Sequence, residues 1–554
     1  MRIMISRPSA LSPGLILVAA ASLFTQASML SCSTADAVLQ EEAGPPGAEV
    51  ALAAYSTSQR APQRAQELYE QQCATCHGSQ GMGDGPAAYL LSPSPRDFSS
   101  GRFRLVSTVN GVPTHDDVVA TLKRGMPGSA MPPWDWMSAE DIDLLADHVL
   151  DLAFEGQVTN LLAWAVEQDE EMSEQQARDL VHSRLTPGEL VDVGTAAPSD
   201  PVTLQAGRRL YMKWCAPCHG ADGTGSGVEE QWNDNGSPTN PRDFTAGIFK
   251  GGTSHTDLVR RLLAGMPGSP MPAASLEDDS EAALIAAYIQ SMITPGSMQK
   301  VQQRRQSLTV GKASGALPRE PGDAAWSDAP SSYLALMPLW WRDLRVEGVL
   351  FQAQHDGSEV AVRLSWEDPA QDEELLGQPL FSDAAALQLS AEADPPIFAM
   401  GATDQPVEIG LWKAAWERDR EYVRDIEDHL PNTMLDNRGE LPAPLHDLFV
   451  TARAVGNRQA AAARPTPAEA LSAEGLGTLA PLGPVQSTWN AKATWADGYW
   501  DVVFTRSLAA TAQGEVALSP GTTVNVAFAV WDGAAGDRDG QKSISIWHQL
   551  EIAR

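Results

Sequence analysis

The sequence repeats a segment built around two cysteines and a histidine. Cys73-Ala74-Thr75-Cys76-His77 recurs 142 residues later as Cys215-Ala216-Pro217-Cys218-His219. Two further landmarks recur in the same order: Pro95-Arg96-Asp97-Phe98 as Pro241-Arg242-Asp243-Phe244, and residues 125–132 as residues 265–272. Because the landmarks keep their order and nearly their spacing, the chain contains a duplicated domain of about 100 residues.

Each copy predicts an opening helix, a loop-rich middle and a closing helix. Apolar residues at helical spacing over 62–73, and at the matched place in the second copy, predict the opening helix. Ser138 and Ser275, each followed three residues later by Asp, are predicted to cap the closing helices. His115 and His255 lie before amphipathic stretches, so they are predicted to start helices rather than to bind metal.

Two cysteines separated by two residues and followed by histidine form the attachment motif of c-type haem. Two thiols one helical turn apart can each add to a haem vinyl group, and the adjacent imidazole can then reach the iron. The motif predicts covalent attachment of two haems through Cys73, Cys76, Cys215 and Cys218, with His77 and His219 as iron ligands. A zinc site of four cysteines is disfavoured because each pair carries its own histidine in its own repeat. A redox-active dithiol is disfavoured because neither pair has a strand–helix context.

A methionine in each repeat is predicted to be the sixth iron ligand. Met131 and Met271 each precede a proline and lie just over fifty residues after the haem histidine. A thioether stabilises ferrous iron and raises the potential of a histidine-ligated haem. Met126 and Met266 are also followed by proline and remain the alternative pair.

Residues 59–156 and 201–297 resemble class I cytochrome c domains, from the Cys-X-X-Cys-His motif through to Met-Pro. The resemblance covers about a third of the chain. It implies a small all-helical fold around each haem.

The periodicity changes from about residue 323 onwards. Apolar and polar residues alternate in the segments 360–366, 500–504 and 524–530. Alternation with a period of two predicts strands, and Asp356-Gly357 predicts a hairpin turn. Residues 323–554 are therefore predicted to form an all-β sandwich, with residues 430–490 as a long inserted loop. No cysteine falls here, so a covalent haem is excluded from this region.

This third region resembles the haem b subunit of the type II branch of the dimethyl-sulfoxide-reductase group. That branch includes ethylbenzene dehydrogenase, dimethylsulfide dehydrogenase, selenate reductase and chlorate reductase. The matching stretches are residues 381–388, 400–401, 411–414, 530–533 and 541–545. The resemblance implies a non-covalent haem b between a methionine and a lysine, here Met400 and Lys542. It also implies that a molybdenum enzyme with an iron–sulfur subunit is the redox partner.

Two other functions remain open from the sequence. The third region could be a carbohydrate-binding sandwich, with exposed aromatic rings among Trp340, Trp341, Trp412 and Trp416. A haem peroxidase would need one haem without a sixth ligand, and the Met-Pro segment in both repeats argues against it.

The amino-terminal segment predicts export. Arg2 and Arg7 precede an apolar run over residues 15–24, and small residues follow up to Ser31. Cys32 is a candidate for lipid attachment, with simple cleavage as the alternative. The mature protein is predicted to be periplasmic or otherwise exported, and to contact a membrane only through an anchor at Cys32. No apolar run reaches the roughly 18–20 residues that a membrane span needs.

Composition excludes several further classes of protein. A net charge of −32 over 554 residues weighs against nucleic-acid binding, which needs a basic face. Five cysteines are too few for a disulfide scaffold in a chain of this length. The prediction is a multihaem electron-transfer protein, not an enzyme, with two all-α cytochrome c domains followed by an all-β sandwich. Its predicted parts are a signal (1–31), a flexible tether (32–58), cytochrome domain one (59–156), a helical connector (157–200), cytochrome domain two (201–297), a linker (298–322) and the haem b sandwich (323–554).

Overall fold

The structure is a computed structural model that describes residues 62–228, 230–342, 344–375, 379–398, 400–420, 466–482 and 488–554. The predicted signal, the tether and Cys32 lie outside the described residues. No helix within these ranges is both long enough and apolar enough to cross a bilayer.

Both repeats are helical, as predicted. The first consists of α1 (62–72), α2 (Ala74–His77), α3 (His115–Arg124), α4 (Ala139–Glu167) and α5 (Glu174–Leu185), with short 3₁₀ turns at Ala88–Leu90 and Phe98–Ser100. The second consists of α6 (Pro201–Trp214), α7 (Ala216–His219), a hairpin of β1 (Gln231–Trp232) and β2 (Pro238–Thr239), α8 (His255–Ala264) and α9 (Ser280–Met292). A short helix, α10 (Ser297–Val301), follows.

Capping residues set where these helices begin. Thr114 and Ser254 cap α3 and α8 with reciprocal capping boxes, so His115 and His255 start these helices as predicted. Ser138 caps α4, also as predicted. The predicted cap at Ser275 is wrong, because α9 begins at Ser280. There the carboxylate of the preceding Asp278 accepts the Ser280 amide at 2.8 Å and satisfies the first free N–H group.

The closing helix of the first repeat is longer than the repeat predicts. Helix α4 continues through residue 156, where the sequence suggested a boundary, and ends at Glu167. Helix α5 then packs back on it through the apolar side chains of Val158, Leu161, Ala177 and Val181. The acidic run over residues 167–171 therefore lies at the turn between two helices rather than inside one helix.

The remaining region is a β-sandwich, as predicted. Its strands are β3 (Ser307–Lys312), β4 (Ser332–Ala335), β5 (Met337–Pro338), β6 (Gly348–His355), β7 (Glu359–Glu367), β8 (Ala384–Ser390), β9 (Val407–Lys413), β10 (Ala468–Ala473), β11 (Ala480–Pro481), β12 (Asn490–Ala496), β13 (Tyr499–Ser507), β14 (Thr523–Trp531), β15 (Ser543–Ile544) and β16 (His548–Ile552). A 3₁₀ turn at Ala324–Asp328 and helix α11 (Ala414–Arg418) complete it.

Strand β3 joins the two sheets of the sandwich. One sheet has the order β11-β10-β9-β8-β14-β16, and the other has the order β6-β7-β13-β12 with β4 beside β6. Strand β3 pairs in parallel with β16 and with β6. The predicted hairpin between β6 and β7 is confirmed, with Gly357 at φ 95° in its turn.

Two stretches that the sequence suggested were irregular form strands. Strand β3 lies within the predicted linker 298–322, and its Leu308 and Val310 are fully buried between more exposed neighbours. Strand β10 lies within the predicted insertion 430–490 and pairs with β9. Its buried residues are mostly alanines, which carry little strand signal.

Aromatic side chains from both sheets meet in the core of the sandwich. The rings of Trp366, Trp412 and Trp500 lie 5.0–6.5 Å apart, centroid to centroid. Strand β8 is buried on both faces, since one face meets this core and the other lines a cavity on the outside of the sheet. That cavity is part of the site described below.

Candidate functional site

The two cysteine motifs have the same geometry in both repeats. In the first, the His77 amide donates to the carbonyl of Cys73 at 2.9 Å, which winds the motif into a single helical turn. The Tyr69 hydroxyl donates to the carbonyl of Gly78 at 2.8 Å. Tyr211 makes the same bond to Gly220 at 2.7 Å. The four thiols form no disulfide, so each is available for attachment to a haem.

The ring of each haem histidine is held in one orientation. His77 Nδ1 lies 2.9 Å from the carbonyl oxygen of Arg96, and the ring stacks on Phe98 with 4.6 Å between centroids. A carbonyl can only accept, so Nδ1 carries the proton and Nε2 presents its lone pair. Burial lowers the pKa of His77, which favours the neutral imidazole that binds iron.

The second repeat reproduces this arrangement. His219 Nδ1 faces the carbonyl of Arg242 at 3.4 Å, and its ring stacks on Phe244 at 4.4 Å. Burial lowers the pKa of His219 as well.

The two candidate methionines of each repeat belong to one tight loop. The Met126 amide donates to the carbonyl of Met131 at 3.0 Å, and Met266 and Met271 repeat this bond at 3.0 Å. Met126 and Met131 both line the cavity next to His77. The preference for Met131 and Met271 over Met126 and Met266 therefore stays a prediction.

One cavity of about 890 Å³ contains the site of the first repeat and the candidate haem b site. Cys73, Cys76 and His77 line one part of it, and Met400 and Lys542 line another. The sequence did not predict that these two sites share a space.

The first repeat docks directly on the sandwich around this cavity. The Ser92 amide donates to the carbonyl of Leu339 at 2.9 Å, and the Trp341 amide donates to the carbonyl of Ser92 at 2.7 Å. Ile397 and Phe398 of the sandwich pack into the apolar core of the first repeat. The wall between the two sites is therefore built from side chains of both domains.

Small side chains line the sandwich side of the cavity. Strands β8 and β14 turn their larger apolar residues toward the core between the sheets and present alanines to the cavity: Ala384, Ala386, Ala527 and Ala529. Ile409 and Leu411 of β9 complete this apolar face. A flat ring can lie against such a face without a steric clash.

Lys542 has the environment that a lysine ligand to iron requires. Burial lowers the pKa of Lys542 to about 8, against a smaller opposing effect from Asp539. A lowered pKa favours the neutral amine, the only form of lysine with a lone pair for a metal. The ammonium nitrogen lies 4.7 Å from the centroid of the Trp531 ring.

Met400 adopts a backbone conformation that is rare for its residue type. Its φ is 73°, in the left-handed region that costs an L-residue about 1–2 kcal/mol. The Gly475 amide donates to its carbonyl at 2.8 Å and helps to hold it there. Strain of this kind concentrates at functional sites, which agrees with a ligand role for Met400.

A cluster of four cations, of which Lys250 is buried and three arginines are half-buried, lies where the two repeats meet. Arg96 and Arg104 come from the first repeat, and Arg242 and Lys250 occupy the matched positions of the second. Burial lowers the pKa of Arg104 and Arg242 to about 10. It also lowers the pKa of Lys250 well below the ordinary value, and the three arginines lower it further.

Each repeat sends an arginine into the methionine loop of the other. Arg242 Nη2 donates to the carbonyl of Gly128 at 2.9 Å. Arg96 approaches Gly268 in the matched loop, since a Cβ there would be 3.3 Å from its Nη1.

This cation cluster fits the carboxylates of haem. Arg104 Nε is buried and has no hydrogen-bond partner among the described residues. Propionate groups supply the negative charge and the acceptors that this cluster requires. This role of the four residues was not predicted from the sequence, although the repeated Pro-Arg-Asp-Phe segment contained the signal.

Sequence comparisons identify the three regions. The model of the family described as "Ethylbenzene dehydrogenase" matches residues 342–543, which include both Met400 and Lys542. This chain joins two cytochrome c domains to an ethylbenzene dehydrogenase-type domain. The model described as "Cytochrome C oxidase, cbb3-type, subunit III" matches residues 60–149, and the model described as "Cytochrome c" matches residues 204–292.

Curated relatives match over part of their length and of this chain. The proposed heme subunit of a respiratory nitrate reductase from Haloferax mediterranei is 28% identical over 42% of this chain and 68% of its own. Chlorate reductase subunit gamma from Ideonella dechloratans is 22% identical over 46% of this chain and 87% of its own. Dimethylsulfide dehydrogenase subunit gamma from Rhodovulum sulfidophilum is 26% identical over 41% of this chain and 73% of its own. These relatives are haem or gamma subunits rather than catalytic subunits, in agreement with the prediction of an electron-transfer protein.

Among solved structures, a chain of the reducing HAO-like protein complex of Kuenenia stuttgartiensis is 31% identical over 42% of this chain and 96% of its own, with a TM-score of 0.34. A score of this size carries no argument about the fold.

The domain assignments confirm the predicted cofactors. The two cytochrome c domains imply covalent haem c, and the ethylbenzene dehydrogenase-type domain implies haem b. The histidine geometry, the buried lysine and the cation cluster fit these groups.

The carbohydrate-binding alternative loses most of its candidate aromatic residues. Trp412 and Trp416 are 0% and 3% exposed and cannot form a surface platform. Trp341 is covered by the guanidinium groups of Arg242 and Arg345, at 4.9 and 4.2 Å from its ring centroid. Only Trp340 remains substantially exposed, at 37%.

Proposed function

We propose that this chain is the haem subunit of an exported oxidoreductase complex and relays single electrons between that enzyme and a further carrier. The observation that carries the proposal is the cavity shared by the cytochrome site of the first repeat and the Met400–Lys542 site. Two redox sites that share one apolar cavity, walled by two domains of one chain, suit electron transfer within the chain.

The residues divide into three groups by role. The covalent anchors are Cys73, Cys76, Cys215 and Cys218, the histidine ligands are His77 and His219, and the opposing ligands are Met131, Met271 and the pair Met400 and Lys542. Haem iron supplies a reversible one-electron couple when it is bound. A site with two protein ligands leaves no open position for a substrate, which suits a relay rather than a catalyst.

The domain contacts suggest a linear order of sites. The first repeat touches the sandwich through Ser92 and the second repeat through Gly128. The second repeat also reaches the sandwich, where the Arg242 guanidinium lies 4.9 Å from the Trp341 ring centroid. The first repeat shares its cavity with the haem b site, so the proposed electron path runs from the sandwich to the first repeat and then to the second.

The relatives indicate the kind of partner, and the amino-terminal segment indicates the location. The relatives are subunits of nitrate reductase, chlorate reductase and dimethylsulfide dehydrogenase. These relatives support a redox enzyme complex as the partner. That this enzyme contains molybdenum and an iron–sulfur subunit, and that the sandwich meets it, is our proposal from the sequence resemblance. The basic and apolar start of the chain supports export to the periplasm, and Cys32 supports attachment to a membrane by a lipid.

A pyridine haemochrome spectrum of the purified holoprotein tests the proposal, because it counts haem c and haem b separately. We expect two haems that stay with the denatured chain and one that acid–acetone extracts. Lys542→Ala should lose the extractable haem and keep the covalent pair. Lys413→Ala is the matched control, because Lys413 lines the same cavity and should leave all three haems bound. Three haems in the Lys542→Ala variant would contradict the assignment of this ligand.

A further inference from the structure

Three buried carboxyl groups meet at one end of the sandwich, outside the haem ligands. One carboxylate oxygen from each of Asp368, Asp383 and Asp532 lies within 4.8 Å of the others. The three side chains, here called the aspartate cluster, are 1%, 0% and 9% exposed. They come from three segments, directly after β7, directly before β8 and directly after β14.

The aspartate cluster lacks a positive partner. No lysine, arginine or histidine forms an ion pair with any of the three among the residues that the structure describes, and the neighbouring Arg342 pairs with Asp537 instead, at 2.6 Å. Three carboxylates buried this close repel one another unless a cation or protons neutralise them.

One oxygen of the cluster is buried and has no hydrogen-bond partner. Asp383 is well supplied with donors, since it accepts the amides of Gly533 and Asp372 at 2.8 Å and the indole N–H of Trp500 at 2.9 Å. Asp368 accepts the Ala370 amide at 3.2 Å through Oδ1, and the nearby indole N–H of Trp366 favours its charged form. Asp368 Oδ2 has no partner in the described part of the chain. An orphaned carboxylate oxygen on a side chain that is 1% exposed is an independent sign of a missing ligand.

We propose that the aspartate cluster binds a divalent cation of the calcium class. Ca²⁺ takes oxygen ligands at roughly 2.3–2.6 Å, so oxygens on opposite sides of one ion lie up to about 5 Å apart. The separation within the cluster agrees with this spacing. A purely oxygen set disfavours zinc, which prefers nitrogen and sulfur.

Such a cation would tie the two sheets together beside the haem b cavity. Asp368 belongs to the sheet that contains β7, whereas Asp383 and Asp532 belong to the sheet that contains β8 and β14. Ser382 and Ala384, on either side of Asp383, line the cavity. The segment from Asp532 leads along the chain to Lys542. The cation therefore holds the segment that carries a candidate iron ligand.

Bound protons are the alternative way to neutralise the cluster. Burial, together with the charges of Asp383 and Asp532, raises the pKa of Asp368 to about 8. Burial raises the pKa of Asp383 to about 7. A direct binding measurement with a metal ion separates the two alternatives.

Isothermal titration calorimetry of the full-length holoprotein with CaCl₂ provides this measurement, because its signal does not depend on light that haem absorbs. After treatment with a chelator and removal of the chelator, we expect binding that saturates at one Ca²⁺ per chain.

Asp368→Asn should weaken Ca²⁺ binding at least tenfold. Glu367→Gln is the matched control, because it removes the same charge one residue away on an exposed side chain and should bind as the native chain does. CaCl₂ should raise the thermal unfolding temperature of the native chain and of Glu367→Gln, but not of Asp368→Asn.

Asp368→Asn also separates loss of binding from loss of folding. The substitution removes a buried unpaired charge, so in chelator this variant should unfold at the same temperature as the native chain or above it. Absence of Ca²⁺ binding by the native chain, or unchanged binding by Asp368→Asn, would overturn the proposal.

Discussion

The two cytochrome repeats share their haem-binding geometry but differ in what surrounds it. Tyrosine, histidine and phenylalanine make the same contacts in both, and both methionine loops close with the same 3.0 Å bond. The first repeat also packs its core against Ile397 of the sandwich. The core of the second contains no sandwich residue among those described.

A single matched position illustrates this difference. The Trp134 amide donates to Leu122, and in the second repeat the Ala274 amide donates to Leu262 in the same way, at 2.9 and 2.7 Å. Trp134 is 5% exposed and lines the shared cavity. The duplicated chemistry thus constrains only the residues next to the haem. Residues one layer away differ between the copies, and in the first repeat they pack against the sandwich.

The largest expected effect comes from removing the covalent anchors of one repeat at a time. Cys73→Ala with Cys76→Ala, and Cys215→Ala with Cys218→Ala, should each halve the covalent haem. The first pair should also lower retention of haem b, because that haem shares its cavity with the first repeat. Haemochrome spectra of both variants check this, and equal retention of haem b would show that the repeats do not differ in this respect.

Methionine substitutions test whether the repeats use the same sixth ligand. Met131→Ala and Met271→Ala should each lower one reduction potential by on the order of 0.1 V, within the roughly 0.8 V that axial ligands span. Met126→Ala and Met266→Ala are the controls and should leave the potentials nearly unchanged. Spectroelectrochemical titration measures all four, and a drop in the control variants instead would reverse the assignment.

Trp134→Ala makes the first repeat resemble the second at the matched position. Loss of a buried tryptophan should lower the free energy of unfolding of the first repeat by about 3–5 kcal/mol. Trp232→Ala should change it by less than about 0.5 kcal/mol, because that side chain is 57% exposed in the second repeat. Urea titrations followed by circular dichroism measure both, and equal effects would show that Trp134 does not stabilise the core of the first repeat.

A smaller expected effect is a loss of stability of the sandwich in acid, which arises from His548 rather than from the repeats. Burial, with a smaller effect of Arg305, lowers the pKa of His548 to about 4. Between pH 6.5 and about 4 the unfolded chain binds a proton here that the folded chain does not, so stability falls as the pH falls. The loss should approach roughly 3 kcal/mol.

His548→Asn isolates this contribution. Asparagine can still accept the Gln306 amide, which His548 Nδ1 accepts at 3.2 Å, but it does not titrate. The variant should therefore lose less stability than the native chain between pH 7 and pH 4. The same loss in both chains would assign the acid sensitivity to other groups.

The sequence predicted the local chemistry well and the long-range contacts poorly. The cysteines and haem histidines could be predicted because all their requirements lie within five consecutive residues. The capping boxes before α3 and α8 are local for the same reason. The sandwich could be predicted as a class because β7, β13 and β14 place large apolar residues at every second position.

Contacts between distant segments explain what the sequence did not predict. Strand β3 is short and moderately polar, and it becomes a strand only because β6 and β16 pair with it. Arg96 and Arg242 acquire their role by crossing into the opposite repeat. The shared cavity depends on how two domains dock, and no local pattern encodes docking.

The position of β3 has a practical consequence for dividing this protein into parts. A gene fragment that starts at the predicted boundary, residue 323, would encode two sheets without the strand between them. Exposed edges of β6 and β16 would then be free to pair with other chains, and such a fragment should aggregate. An expression clone of the sandwich should therefore start upstream of Ser307.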